Sequence, residues 1–145
     1  MLQTTKPADH PIHKTYAKGI EAQEFLKSVI EEHLGEEITG TPYVYDTMDF
    51  TSENYCIELK RRFKPYNPSD WFMKDGWLIP ACKIFRAREE TRKTRFYYYF
   101  DSDESLWYWD YNQEEADKCM CKVPKNHRDN QLHYYLPQTL WKLIQ

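Results

Sequence analysis

Asp49, Glu58 and Lys60 are the residues of this chain whose types and spacing suit chemistry. They lie in the stretch Tyr43–Arg62, which reads Y-V-Y-D-T-M-D-F-T-S-E-N-Y-C-I-E-L-K-R-R. Glu58 and Lys60 alternate around Leu59 inside an otherwise apolar run. Burying such ions costs roughly several kcal/mol each unless they pair with one another or coordinate something. The chemistry on offer is therefore ion pairing or coordination.

The elements that must position these groups form a β-hairpin. Tyr43–Phe50 and Tyr55–Lys60 are rich in aromatic and β-branched residues and flank the polar tetrad Thr51-Ser52-Glu53-Asn54. A four-residue connection predicts Phe50 opposite Tyr55 and Asp49 opposite Cys56. Side chains two apart share a face, so Asp49, Cys56, Glu58 and Lys60 point the same way. A slip of one residue would offer Asp46 in place of Asp49.

Around the hairpin, Met1–Lys18 carries His10, His13 and two prolines without periodicity, and reads as an extended N-terminal arm. Gly19–Leu34 has the apolar spacing of an amphipathic helix, with Ile20, Ala22, Phe25, Leu26, Val29, Ile30 and Leu34 inward and Gly35 as its stop. After the hairpin come the basic run Arg61–Lys64 and a third strand at Trp77–Ile79. Pro80 then opens a helix reaching about Thr91. Lys83, Arg86, Arg88, Arg92, Lys93 and Arg95 make that region basic. Arg95–Phe100 and Leu106–Tyr111 form a second hairpin around Asp101-Ser102-Asp103-Glu104. Asn112–Asn130 reads as irregular, Leu132–Leu136 as a short strand and Gln138–Ile144 as a closing helical turn. The fold class expected is α/β, in the α+β sense of a mixed sheet, as one domain over residues 1–145 with 112–145 as a C-terminal extension.

Composition sets bounds. The chain has 145 residues, 41% apolar and 17% aromatic, which fits one globular domain rather than a disordered segment. The net charge of −3 excludes a strongly basic nucleic-acid binder by bulk charge, although not a local basic patch. No apolar run approaches the ~20 residues that cross a bilayer, and residues 1–16 lack the apolar core of a secretory signal. The expected setting is intracellular and reducing, cytoplasmic or nuclear, with no membrane partner. The four cysteines (Cys56, Cys82, Cys119, Cys121) then read as thiols. Cys119-x-Cys121 with His127 and His133 matches zinc spacing poorly.

With Asp49, Glu58 and Lys60 on a hairpin between two helices, the chain resembles the PD-(D/E)XK phosphodiesterase superfamily, the restriction-endonuclease-like fold. The resemblance covers about Gly19–Tyr111: helix, hairpin carrying D…ExK, third strand, helix, further strands. Met48 stands where the motif has proline. The resemblance implies a nuclease in which Asp49 and Glu58 hold Mg²⁺ or Mn²⁺, with the Leu59 carbonyl as a further ligand, while Lys60 orients the attacking water. It also implies an acid from the first helix, Glu21 or Glu24. Arg61, Arg62, Lys64, Lys83 and Arg86 are then the candidate phosphate contacts. DNA is the expected partner, cut by a structure-selective or repair-type endonuclease of a virus, phage or microbe, and a homodimer would suit cleavage of both strands of a duplex.

Two other readings compete. Glu58 and Lys60 could lie on a solvated face as a weak ion pair. Alternatively, Tyr97, Tyr99, Trp107 and Tyr111 could present stacking platforms for single-stranded nucleic acid, or a protein-interaction surface, without catalysis.

Overall fold

Strand-forming aromatic and β-branched runs alternate with short polar connections along this chain, and the result is two sheets with helices against them. The structure is a computed structural model and describes residues 24–40, 48–62, 66–69, 75–124 and 131–145. Helix α1 (24–34) is followed by β1 (Thr39–Gly40), β2 (Phe50–Thr51), β3 (Tyr55–Arg62) and β4 (Trp77–Pro80). Helix α2 (Ala81–Glu89), β5 (Lys93–Phe100), β6 (Ser105–Asp110) and α3 (Gln113–Asp117) come next. The chain closes with β7 (Met120–Lys122), β8 (His133–Leu136), a 3₁₀ turn (Gln138–Leu140) and β9 (Lys142–Leu143). Helix, mixed sheet, helix and strands make this an α+β fold, as the sequence suggests.

The main sheet has the order β1-β2-β3-β5-β6-β9. β3 and β5 run parallel in register from Tyr55↔Lys93 to Arg62↔Phe100, and every other pairing in the sheet is antiparallel. Parallel neighbours need a crossover, which β4 and α2 supply. Because this sheet is covered on both faces, its central strand β5 reads almost continuously apolar. Phe96, Tyr98 and Phe100 pack on one face with Trp77, Ile79, Ile84, Tyr134 and Trp141. Tyr97 and Tyr99 pack on the other with Leu26 and Ile30 of α1.

Several sequence expectations are corrected. The third strand at Trp77–Ile79 exists, but it leaves the main sheet and pairs with β8, which pairs with β7, in a separate sheet ordered β4-β8-β7. Between β4 and β8 the backbones approach so closely at Gly76 (φ 135°) that a Cβ there would sit 2.5 Å from the Tyr135 carbonyl carbon. Asn112–Asn130 is not all irregular, since it holds α3 and β7. Asn112 caps α3 by accepting the Glu115 N–H, an N-cap signal present in the sequence. The closing segment is a 3₁₀ turn plus β9, which pairs at the edge of β6. Phe25, expected inward, is 59% exposed.

Three local readings hold. Gly35 ends α1 with φ 77°, its N–H bonded to the Glu31 carbonyl at 2.8 Å. Pro80 caps α2. The second hairpin pairs Phe100 with Ser105 around residues 101–104. The expected N-terminal arm, residues 19–23 of the expected first helix, most of the first expected strand and Lys64 lie outside the described residues.

Candidate functional site

Asp49 does not face Cys56. The ladder registers Phe50 against Ile57 and Thr51 against Cys56, while the Ser52 N–H donates to the Tyr55 carbonyl at 2.8 Å. The connection is thus the two residues Glu53-Asn54, not a four-residue loop. The register differs from the expected one by two positions, an even shift that leaves the paired residues Phe50 and Thr51 on their expected faces. Glu36 selects this tight turn, accepting from Ser52 Oγ at 2.7 Å, Asn54 N at 3.1 Å and Asn54 Nδ2 at 3.0 Å.

At Asp49 the ladder changes. Phe50 is already opposite Ile57, yet the Asp49 N–H also reaches the Ile57 carbonyl at 3.0 Å. Two residues against one is the count of a β-bulge, which re-aims a side chain. Asp49 Oδ2 accepts the Leu59 N–H at 2.8 Å, so its carboxylate stands where a neighbouring strand would otherwise supply an acceptor. A residue's N–H and C=O point to the same neighbour in such a ladder, so the Leu59 carbonyl also faces the Asp49 side.

Glu58 and Lys60 lie on the face of β3 covered by α2 and the second sheet, the face that also carries Cys56. Glu58 is 8% exposed, which removes the solvated-pair reading. Its Oε2 is 3.0 Å from Lys83 Nζ, with 11% and 20% of the two side chains exposed. That oxygen nonetheless accepts no hydrogen bond of good geometry, so the contact is one of charge rather than direction. Burial first, and then the Asp49 carboxylate, push the Glu58 carboxyl well above the usual range, while Lys83 pulls it back. Lys60 is moved down from its ordinary value by burial, then by Arg62 and Lys83, and is held up by Glu58 and Asp49. Four charged groups therefore act on one another at this point: Asp49, Glu58, Lys60 and Lys83.

The remaining expected residues divide. Arg62 extends the same face, donating to Tyr98 Oη at 2.9 Å with its guanidinium 5.8 Å from the Tyr66 ring centre. Arg61 turns to the opposite face and makes a two-pronged pair with Asp101 at 2.8 and 2.9 Å. Arg86 pairs with Glu90 at 2.8 Å. Arg88, Arg92 and Arg95 likewise each meet a carboxylate, so much of the basic region is neutralised within the fold. Glu24 is exposed on the helix that packs on the other face and is not among the charges acting on Glu58 or Lys60. Glu21 and Asp46 lie outside the described residues. Of the proposed stacking aromatics, Tyr97 and Tyr99 are buried, while Trp107 and Tyr111 are half-buried.

Lys83 in contact with Glu58 is the pairing that sequence reasoning missed. One signal was available: Lys83 sits in the first turn of α2, which contains no acid, against the preference set by the helix dipole. A carboxylate below it accounts for that position. Among the described residues no three acidic, histidine or cysteine side chains cluster as a closed metal shell. Asp49, Glu58 and the Leu59 carbonyl still offer hard oxygen donors of the kind that suit Mg²⁺, which commonly takes one or two carboxylates and retains water. A buried carboxyl whose proton affinity is raised by burial and by a neighbouring carboxylate, with one oxygen lacking a hydrogen bond, fits a divalent cation. No family model, no curated protein and no solved structure matches this chain.

Proposed function

We propose that this protein is a metal-dependent nuclease hydrolysing phosphodiester bonds in nucleic acid, DNA first, on a restriction-endonuclease-like core. The observation that carries this reading is Glu58, buried beside Asp49 with Lys60 one alternation further along the same face. A purely structural carboxylate at such burial would be expected to have complete hydrogen bonding. Glu58 lacks it.

Asp49 and Glu58 would hold Mg²⁺ or Mn²⁺ with the Leu59 carbonyl, and Glu21 is the acid proposed to complete the shell. The bound cation would lower the pKa of its water and stabilise charge on the pentacoordinate phosphorus. Asp49 is fixed beside Glu58 by the Leu59 N–H, which its Oδ2 accepts. Lys60, whose proton is loosened by burial, orients the attacking water and offsets developing negative charge. Arg62, following on the same face, is placed for a phosphate contact that sets position and salt dependence rather than sequence choice.

Labelled linear duplex, four-way junction, flap, single-stranded DNA and RNA, each with and without Mg²⁺ or Mn²⁺, test the reading. Cleavage of one class is expected to require metal and to fall more than about a hundredfold in Asp49→Ala and Lys60→Ala. Absence of cleavage on every substrate, with nucleic-acid binding unchanged in both variants, would overturn it in favour of a non-catalytic binding module.

A further inference from the structure

We propose that Lys83 is an internal stand-in for the metal, holding Glu58 until a divalent cation displaces it and then turning to the substrate phosphate. The proposal rests on the nuclease reading for the identity of the site and adds how that site is regulated.

Four observations lead to it. The Lys83 ammonium is 3.0 Å from Glu58 Oε2, within the first contact shell of the oxygen the cation would need. That contact is off the axis of a good hydrogen bond at Oε2, so it is held by charge more than by direction. A lysine is a compact charge on a flexible four-carbon stem, and this one is more exposed than its partner, so it can withdraw towards solvent while Glu58 cannot. Its place in the first turn of α2 adds a fourth, because the positive end of the helix dipole disfavours a cation there once Glu58 is otherwise neutralised.

Ammonium and metal compete for the charge of the Glu58 carboxylate. They repel one another, and a divalent ion at Asp49 and Glu58 takes over the attraction that holds Lys83. The exchange therefore releases a positive side chain at the mouth of the site as the metal enters. Substrate phosphate would favour the released state, so metal and nucleic acid must strengthen one another's binding by the same factor. The carboxylates are kept neutralised in the absence of metal, and the phosphate contact is withheld until the metal is present.

Mn²⁺ binding to the full chain without nucleic acid, followed by calorimetry, tests the exchange directly. Lys83→Met is expected to tighten Mn²⁺ by about tenfold or more, since it removes a competing unit charge at contact distance. Lys83→Arg should stay close to the parent, and Glu58→Gln should abolish binding. Where Lys83→Met fails to fold, Lys83→Gln removes the charge while keeping a polar side chain, and the Mn²⁺-induced rise in Tm gives the same comparison. Mn²⁺ binding by the parent with equal or weaker affinity in the uncharged variants would overturn the exchange and leave the nuclease reading intact. Absence of Mn²⁺ binding in parent and Glu58→Gln alike would overturn both.

Discussion

The main sheet buries charge on both of its faces and treats it in opposite ways. On the α1 face, Arg95 is 11% exposed at its side chain and fully occupied: Asp110 accepts two hydrogen bonds from it at 2.6 and 3.2 Å. Its guanidinium also lies 5.0 and 4.6 Å from the Tyr55 and Tyr108 ring centres. On the α2 face, Glu58 is equally buried at its side chain (11%), yet it has one off-axis ammonium and a neighbouring carboxylate that repels it. Equal burial with unequal satisfaction is the difference on which the proposed nuclease reading turns: a charge closed within the fold against one that the proposal keeps for a ligand.

That contrast can be broken from either side. The largest effect is expected from Glu58→Gln. Folding raises the Glu58 pKa, so the unfolded chain binds fewer protons there, and stability is lost as pH rises from the ordinary carboxylate range through the raised folded value. A neutral isostere removes that loss. Nuclease activity should fall more than about a hundredfold, while Tm at neutral pH rises by a few degrees. A lower Tm would mean that the Lys83 pair stabilises the fold and that the two faces are alike.

Asp110→Ala tests the other face. Removing the acceptor of a charge-assisted pair should cost about 1–2 kcal/mol in denaturant unfolding, reduced by the exposure of Asp110. Activity per folded molecule should be unchanged.

The smallest effect belongs to His33, whose Nδ1 is 3.1 Å from Tyr97 Oη and 3.4 Å from Arg95 Nη1. Burial and then Arg95 lower its pKa, against Asp110, which raises it. The unfolded chain therefore binds the proton more readily, and stability present above the ordinary value of 6.5 is lost as pH falls through the lowered folded value. Tm should drop between about pH 7.5 and about pH 5.5, and His33→Gln should flatten that drop. An unchanged slope would place the acid sensitivity elsewhere.

Elements whose signals are local could be read from the sequence. The second hairpin has its own polar loop, α2 has Pro80 before it, and α1 has Gly35 after it. Glu58 and Lys60 were legible because alternation along β3 fixes their face, whereas Asp49 reaches them from a bulge that alternation does not describe. What escaped depends on distant contacts. The Glu53-Asn54 turn is selected by Glu36, the partner of β4 is a strand more than fifty residues later, and the meeting of Lys83 with Glu58 depends on where α2 settles over β3. Asn112 and Glu115 carried a readable capping signal for α3 that composition obscured.

The parallel pairing of β3 with β5 also bears on synthesis. All three motif residues lie on one hairpin, but β3 gains its second neighbour only after residues 93–100 have left the ribosome, and Lys83 arrives on the intervening crossover. A two-stranded hairpin alone is marginal in water, so its carboxylates would remain hydrated and apart. A stalled or proteolysed chain ending before β5 carries the complete motif without the buried charge set. On the nuclease reading, cutting power is withheld from unfinished copies, and the cell that makes the protein is spared the activity of its own translation errors.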